Sequence, residues 1–170
     1  MTARWFAVPA FALLIAVCAQ LTVPMTPVPM TLQTFAVLLA GAVLGGGRGA
    51  VAVLVYLALG AAGLPVFSEG GSGWRVLVGP TAGYLVAFPI AAGLIGVLAR
   101  RLAFRSPLAA TLLMVGVHLL ILGLGGAWLA TRIGAGPAIE AGVTPFLIGS
   151  VVKSVAVVLA TAGLRRLGLR

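Results

Sequence analysis

An all-α membrane protein, with six transmembrane helices in one compact bundle, is what three features of this chain predict. Hydrophobic residues fill 62% of its 170 positions and charged residues only 8%, against roughly 25% charged in an ordinary soluble domain. The apolar residues fall in runs separated by short glycine-, proline- or arginine-bearing connections. The basic residues sit in small groups at the ends of those runs. A water-soluble globule, a disordered chain and a disulfide scaffold are excluded. Six spans of about 20 residues use about 120 positions. The chain is therefore expected to be a single integral membrane domain over residues 1–170, with short loops. The net charge of +9 would suggest nucleic acid in a soluble protein. Placed at run ends it reads as membrane topology, and no nucleic-acid partner is expected. Cys18 is the single cysteine, so no intramolecular disulfide is possible.

The first span is expected over 5–23, after Arg4. A signal-peptide reading is disfavoured, because the run is longer than a signal's apolar core and more spans follow. Pro24, Pro27 and Pro29 then exclude a helix and favour an extended path. This uncharged segment is either an interfacial loop or a lid over a site. The second and third spans, expected over 34–47 and 50–64, flank Gly45-Gly46-Gly47-Arg48-Gly49, read as a tight cytoplasmic turn. Both are short, so they tilt or partly re-enter, and as a hairpin they are gained or lost together. Residues 66–83 form the longest polar stretch, rich in glycine, which permits close backbone approach to a ligand. The fourth span is expected over 84–99 and is closed by Arg100, Arg101 and Arg105. Pro107 opens the fifth, 107–129, since proline suits a first helical turn. Residues 132–140 read as a polar connection, and the sixth span is expected over 143–164.

With the N-terminus inside, the inner face carries Arg4, Arg48, Arg100, Arg101, Arg105, Arg165, Arg166 and Arg170, and the outer face only Arg75 and Arg132. That bias predicts cytoplasmic N- and C-termini. Trp5 then belongs to the inner interface and Trp74 and Trp128 to the outer one. The proline-rich and glycine-rich loops both emerge outside.

One basic residue is left over. Lys153 lies near the middle of the sixth expected span, roughly 15 Å from each end at 1.5 Å per residue. An intramembrane lysine costs about 2.5–3.5 kcal/mol on insertion scales, and by default it marks a functional site. Snorkelling to an interface is the competing reading, and the distance disfavours it. Ser150 shares its helix face. No acid lies in any span, so an anionic ligand would supply the counter-ion. His118 is also mid-span. A proton relay or a ligand contact is possible there, but a hydrogen bond within the bundle is the preferred reading.

No metal site is expected from one His, one Cys and two Glu. No catalytic residue is assigned and the chain is not expected to be an enzyme, because it has no aspartate, no internal acid and no second histidine. A phosphate-binding loop is absent, so any ATP would bind a partner. Ala12 and Ala16 form a small pair on the first span, suited either to internal packing or to docking on a partner membrane protein. Gly41 and Gly45 make a similar pair, read as internal.

Four segments carry a family resemblance. They are Val28-Pro29-Met30-Thr31-Leu32-Gln33-Thr34, Gly60-Ala61-Ala62-Gly63-Leu64-Pro65-Val66-Phe67, Gly79-Pro80-Thr81-Ala82-Gly83-Tyr84-Leu85, and Pro145-Phe146-Leu147 leading to Lys153. Together they cover nearly the whole chain, in order, and the chain resembles the BioY family. These are biotin-specific substrate-binding components of energy-coupling-factor (ECF) transporters. The resemblance implies six helices, a site near the outer face and a first inter-helix loop acting as lid. It implies a multi-pass protein of a prokaryotic cytoplasmic membrane. Its implied partners are biotin, a transmembrane coupling protein docked on Ala12 and Ala16, and ATPase subunits that alone carry ATP; self-association is a further option. No cofactor is implied. One departure is clear: where the family usually has an aspartate after Pro-Phe-Leu-x-Gly, this chain has Ser150. Either a serine hydroxyl replaces the acidic contact or the ligand sits differently, and another small vitamin is the alternative ligand. A membrane scaffold without ligand is the alternative of a different class.

Biotin has two ureido N–H donors, a carbonyl, an apolar thiolane and chain, and a carboxylate. A site for it should be mostly apolar with a few placed polar groups. Thr31, Gln33, Thr81, Tyr84 and Ser150 are expected to supply hydrogen bonds, Gly79 and Gly83 backbone, and Phe67 and Trp74 ring cover. Lys153 is expected to hold the carboxylate or the ureido carbonyl.

Overall fold

In the computed structural model, which describes residues 5–99 and 106–166, the apolar runs become six helices. They are α1 (Ala7–Gln20), α2 (Gln33–Leu44), α3 (Gly46–Ala61), α5 (Ala82–Leu98), α6 (Pro107–Ile133) and α8 (Phe146–Arg166). Two short helices were not expected: α4 (Trp74–Leu77), inside the glycine-rich loop, and α7 (Ala135–Gly142). Arg4, Arg100, Arg101, Arg105 and Arg170, on which much of the charge bias rests, lie outside the described residues.

Among the described residues, only α6 and α8 are long and apolar enough to cross a bilayer by length and composition, with mean hydropathies of 2.2 and 2.0. The other four have 14, 12, 16 and 17 residues. The first two are shorter than expected because their ends are spent on local structure, whereas α3 and α5 match their expected lengths to within one residue. Leu21–Val23 leave the first span, and Thr22 and Val23 pair antiparallel with Thr31 and Met30. The proline-rich segment is thus a closed hairpin, β1 (Thr22–Val23) and β2 (Met30–Thr31), rather than a free extended loop.

Two junctions are tighter than the sequence indicates. The five-residue turn expected at 45–49 shrinks to Gly45 alone (φ 86°, ψ 165°), and α3 begins at Gly46. The polar connection expected at 132–140 shrinks to Gly134 alone (φ 87°, ψ 159°), with helix on both sides. Both residues occupy left-handed space that glycine enters without a Cβ penalty. Ser106, whose hydroxyl accepts from Ala109 N at 3.1 Å, caps α6, and Pro107 fills its first turn as expected.

The burial pattern places each helix. Eight of the twelve residues of α2 are buried, and it touches α1, α3, α5 and α8. A helix apolar on all sides belongs in the centre. The packing of α5 against α2, α3 and α6, and of α8 against α2 and α6, completes the bundle. Glycines set the spacing: a Cβ at Gly41 would strike the Ala92 carbonyl of α5, and one at Gly96 the backbone at Gly45 and Gly46. The outward faces remain apolar, as in Leu13 and Val17 on α1, or Ile148, Val152 and Leu159 on α8. A lipid solvent accounts for that surface.

Ala12 and Ala16 are 1% and 8% exposed. They belong to the buried core, on a helix packed against α2 and α3, which is the internal of their two readings. The exposed face of α1 carries Pro9, Leu13 and Val17 instead.

Candidate ligand-binding site

A cavity opens at the end of the bundle where α1 and α3 finish and α2, α5 and α8 begin. Val28, Pro29 and Thr31 of the hairpin, with Gln33 and Thr34 at the start of α2, form one wall, Phe67, Ser68 and Val76 of the glycine-rich loop a second, and α5, α6 and α8 the rest. Its volume is about 50 Å³, room for roughly three or four waters. Anything the size of a bicyclic ligand requires the walls to part.

Seven of the residues singled out from sequence meet on this wall: Thr31, Gln33, Phe67, Thr81, Tyr84, Ser150 and Lys153. Each is held by local structure. Gln33 accepts from the Thr31 hydroxyl at 2.9 Å and donates to the Tyr56 hydroxyl, so the start of α2 is tied to α3. The Phe67 ring lies on Gly60, where a side chain would overlap it, and meets Tyr56 edge-on with ring centres 5.6 Å apart. Tyr84 donates to the Gly142 carbonyl at 2.7 Å, and its ring fills the space left by Gly125. Gln20 closes α1 onto the same loop, donating to Phe67 O at 3.0 Å and accepting from Gly70 N at 3.2 Å.

Lys153 lies seven residues into α8, about 10 Å from that end and about 20 Å from the other. It is thus nearer one end than the midpoint expected from the sequence. Its ammonium does not snorkel away: it donates to the Thr31 carbonyl of β2 at 3.2 Å. The side chain links α8 to the hairpin across the cavity. Neither Glu69 nor Glu140 lines the wall.

Three expected residues stand elsewhere. Trp74 is 68% exposed and is absent from the wall. Gly79 offers its carbonyl to Trp128 Nε1 at 2.9 Å, beside Arg132, which donates to Val78 O at 2.7 Å. These bonds pin the loop to α6. Gly83 packs under the Trp128 side chain and serves the α5–α6 contact.

The structure also adds residues. Tyr56 supports the site from behind, and its apolar neighbours gave no sign of a hydrogen-bond partner 23 positions away. In Tyr56→Phe, the Gln33 amide loses its acceptor while buried, which costs about 1–3 kcal/mol. The expected result is an unfolding midpoint lowered by about 5 °C in detergent, with weaker ligand binding. An unchanged midpoint would show that Gln33 finds another partner.

His118 stands on the wall as well as in the bundle. Its Nδ1 lies 3.1 Å from Met114 O and 2.9 Å from Ser154 Oγ. This is not a nucleophile–base pair, since Ser154 donates its proton to Ser150 O at 2.7 Å and does not line the cavity. Two buried polar atoms on the wall, Thr34 Oγ1 and His118 Nε2, have no protein partner. Buried polar atoms are normally satisfied, so two unpaired on one cavity wall call for a partner that enters the cavity, water or ligand. Among the described residues no cluster of His, Cys, Asp or Glu could hold a metal ion.

A helix bundle with an apolar outside, enclosing a cavity that carries one cation and unpaired polar atoms, defines a membrane-protein fold built around a small enclosed pocket. The model of the BioY family matches residues 1–170, and the chain belongs to that family. It is 39% identical to a probable biotin transporter BioY of Pyrococcus horikoshii over 149 residues, 88% of each chain. It is 40% identical to biotin transporter BioY2 of Lactococcus lactis over 148 residues, covering 86% of this chain and 81% of the relative. Among solved structures it resembles the S-component for biotin from an ECF-type ABC transporter, with a TM-score of 0.86, 25% identity, and 96% and 91% of the two chains covered. The family is one of transporters, so the chain is a membrane protein.

Proposed function

We propose that this chain captures biotin as the substrate-binding subunit of an ECF-type transporter. The observation that carries the reading is the cavity itself, where Lys153 and the unpaired Thr34 and His118 atoms face a mostly apolar enclosure. Polar groups few in number and fixed in place suit a ligand with a urea at one end, a carboxylate at the other and apolar atoms between. Thr31, Gln33, Thr81, Ser150 and Lys153 supply the polar contacts, and Phe67 covers the rings.

The hairpin over 22–31 is the wall that parts. In the closed state the Lys153 ammonium bonds to the Thr31 carbonyl, and entering ligand takes over that donor. The six longer helices cross a prokaryotic cytoplasmic membrane, with both termini inside and the hairpin and the 66–83 loop outside. A membrane coupling protein and ATPase subunits then supply the energy, and ATP binds only there.

Calorimetry on detergent-purified protein tests the reading. Biotin is expected to bind at or below micromolar concentration. No biotin heat at that level would overturn it, and a vitamin panel on the same sample would identify a different ligand, the outcome that Ser150 keeps open.

A further inference from the structure

We infer that His118 contacts the ligand directly, its Nε2 accepting a hydrogen bond from a ligand N–H. The inference rests on the cavity being the capture site, and it names the group that meets the donor side of a cyclic urea.

The ring is 1% exposed, midway along α6, and stands on the cavity wall. Its protonation pattern follows from its neighbours. The Met114 carbonyl, 3.1 Å from Nδ1, can only accept. The Ser154 hydroxyl has given its proton to Ser150 O at 2.7 Å, so towards Nδ1 it too is an acceptor, at 2.9 Å. Nδ1 therefore carries the ring proton. No acid lines the cavity to hold an imidazolium, so Nε2 is a bare acceptor. It is buried and meets no protein donor.

Hydroxyls such as Thr34 Oγ1 also line the wall and can either donate or accept, whereas Nε2 can only accept. Gln33 Oε1 accepts from Thr31, and the Tyr84 hydroxyl is bonded to Gly142 O. Lys153 offers only donors. A wall with an unpaired acceptor nitrogen on α6 and, on α8, a cation bonded to one carbonyl and facing no acid matches a molecule that presents N–H on one side and an anion or carbonyl on the other. A carboxylate or a thioether alone could not use Nε2. In biotin the group that fits is a ureido N–H.

His118 is the only histidine in the chain, so ¹⁵N-histidine labelling reports this ring alone by NMR. The free protein is expected to show Nδ1 protonated and Nε2 bare, and saturating biotin should move the Nε2 resonance as it gains a hydrogen bond. A free protein protonated at Nε2 would overturn the inference. So would an unmoved Nε2 while calorimetry reports biotin bound, which leaves the capture reading standing. If calorimetry shows no biotin binding, the capture reading fails, and the labelled sample is titrated with 2-imidazolidinone, the cyclic urea alone. A shift of Nε2 there supports the inference, and none overturns it. Two variants add a second readout. His118→Asn keeps a polar group near the Nδ1 position and removes Nε2, and it should weaken biotin binding about tenfold or more. His118→Gln, with an amide oxygen near the Nε2 position, should recover part of that loss. Equal affinities for both variants and the parent would contradict the contact.

Discussion

Lys153→Met is expected to remove biotin binding and leave the bundle at least as stable as before. In the folded chain the ammonium makes one bond, to Thr31 O at 3.2 Å, and no acid shares its cavity. Burying it costs about 2.5–3.5 kcal/mol on insertion scales, and methionine fills similar space without that cost. With ligand present the balance reverses, because a buried charge contact cut on one side costs about 2–5 kcal/mol. The expected outcome is a dissociation constant raised by roughly a hundredfold or more, with an unfolding midpoint equal to or above the parent's. Calorimetry and thermal unfolding in one detergent check both halves. A variant that still binds biotin within a few-fold would remove Lys153 from the site. A variant unchanged in cellular function would favour a scaffold without ligand.

The second large effect is expected at Gly41. Any Cβ there runs into the Ala92 carbonyl, and Gly49 of α3 lies against the other side, its own Cβ position 2.7 Å from Gly41 Cα. All the opposing atoms are backbone, so no side-chain rotation relieves the overlap. Overpacking of this kind costs typically about 1–3 kcal/mol for small additions, and more for larger ones. Gly41→Leu is expected to yield protein that aggregates on size exclusion, and Gly41→Ala a lowered midpoint. Gly116, on α6, provides the control: a Cβ there meets nothing within 4 Å, so Gly116→Ala should be neutral or stabilising by up to about 1 kcal/mol. Equal midpoints for the two alanine variants would show that α2 and α5 tolerate separation.

How far the sequence reached differs between fold and site. The six long helices were legible because each is an apolar run bounded by glycine, proline or arginine. α7 was not, since Ala135–Gly142 carries two glycines, a proline and a glutamate and reads as a loop. It is a helix because Gly134 turns the chain in one residue and α6 offers a surface to pack on. The length of the first span was overestimated for the same kind of reason: hydropathy does not show where an apolar residue leaves a helix to pair in a hairpin, as Val23 does with Met30.

Lys153 and Ser150 stood out from one dimension, because a cation in an apolar run is costly wherever it folds. Trp74, Gly79 and Gly83 looked equally suited to a ligand, yet two of them are bonded or packed to Trp128 and the third points outward. Ala12 and Ala16 had the spacing of a docking pair, and only the position of α2 and α3 showed which side of α1 is covered. Sequence by itself determined the solvent of this protein, its number of long helices and the one residue whose burial demands a reason. Tertiary structure alone decided which polar atoms face the cavity unpaired. Pairing is a property of two groups brought together across the chain: Gln33 with Tyr56, Tyr84 with Gly142, and His118 with Ser154 but with no protein donor on its second nitrogen.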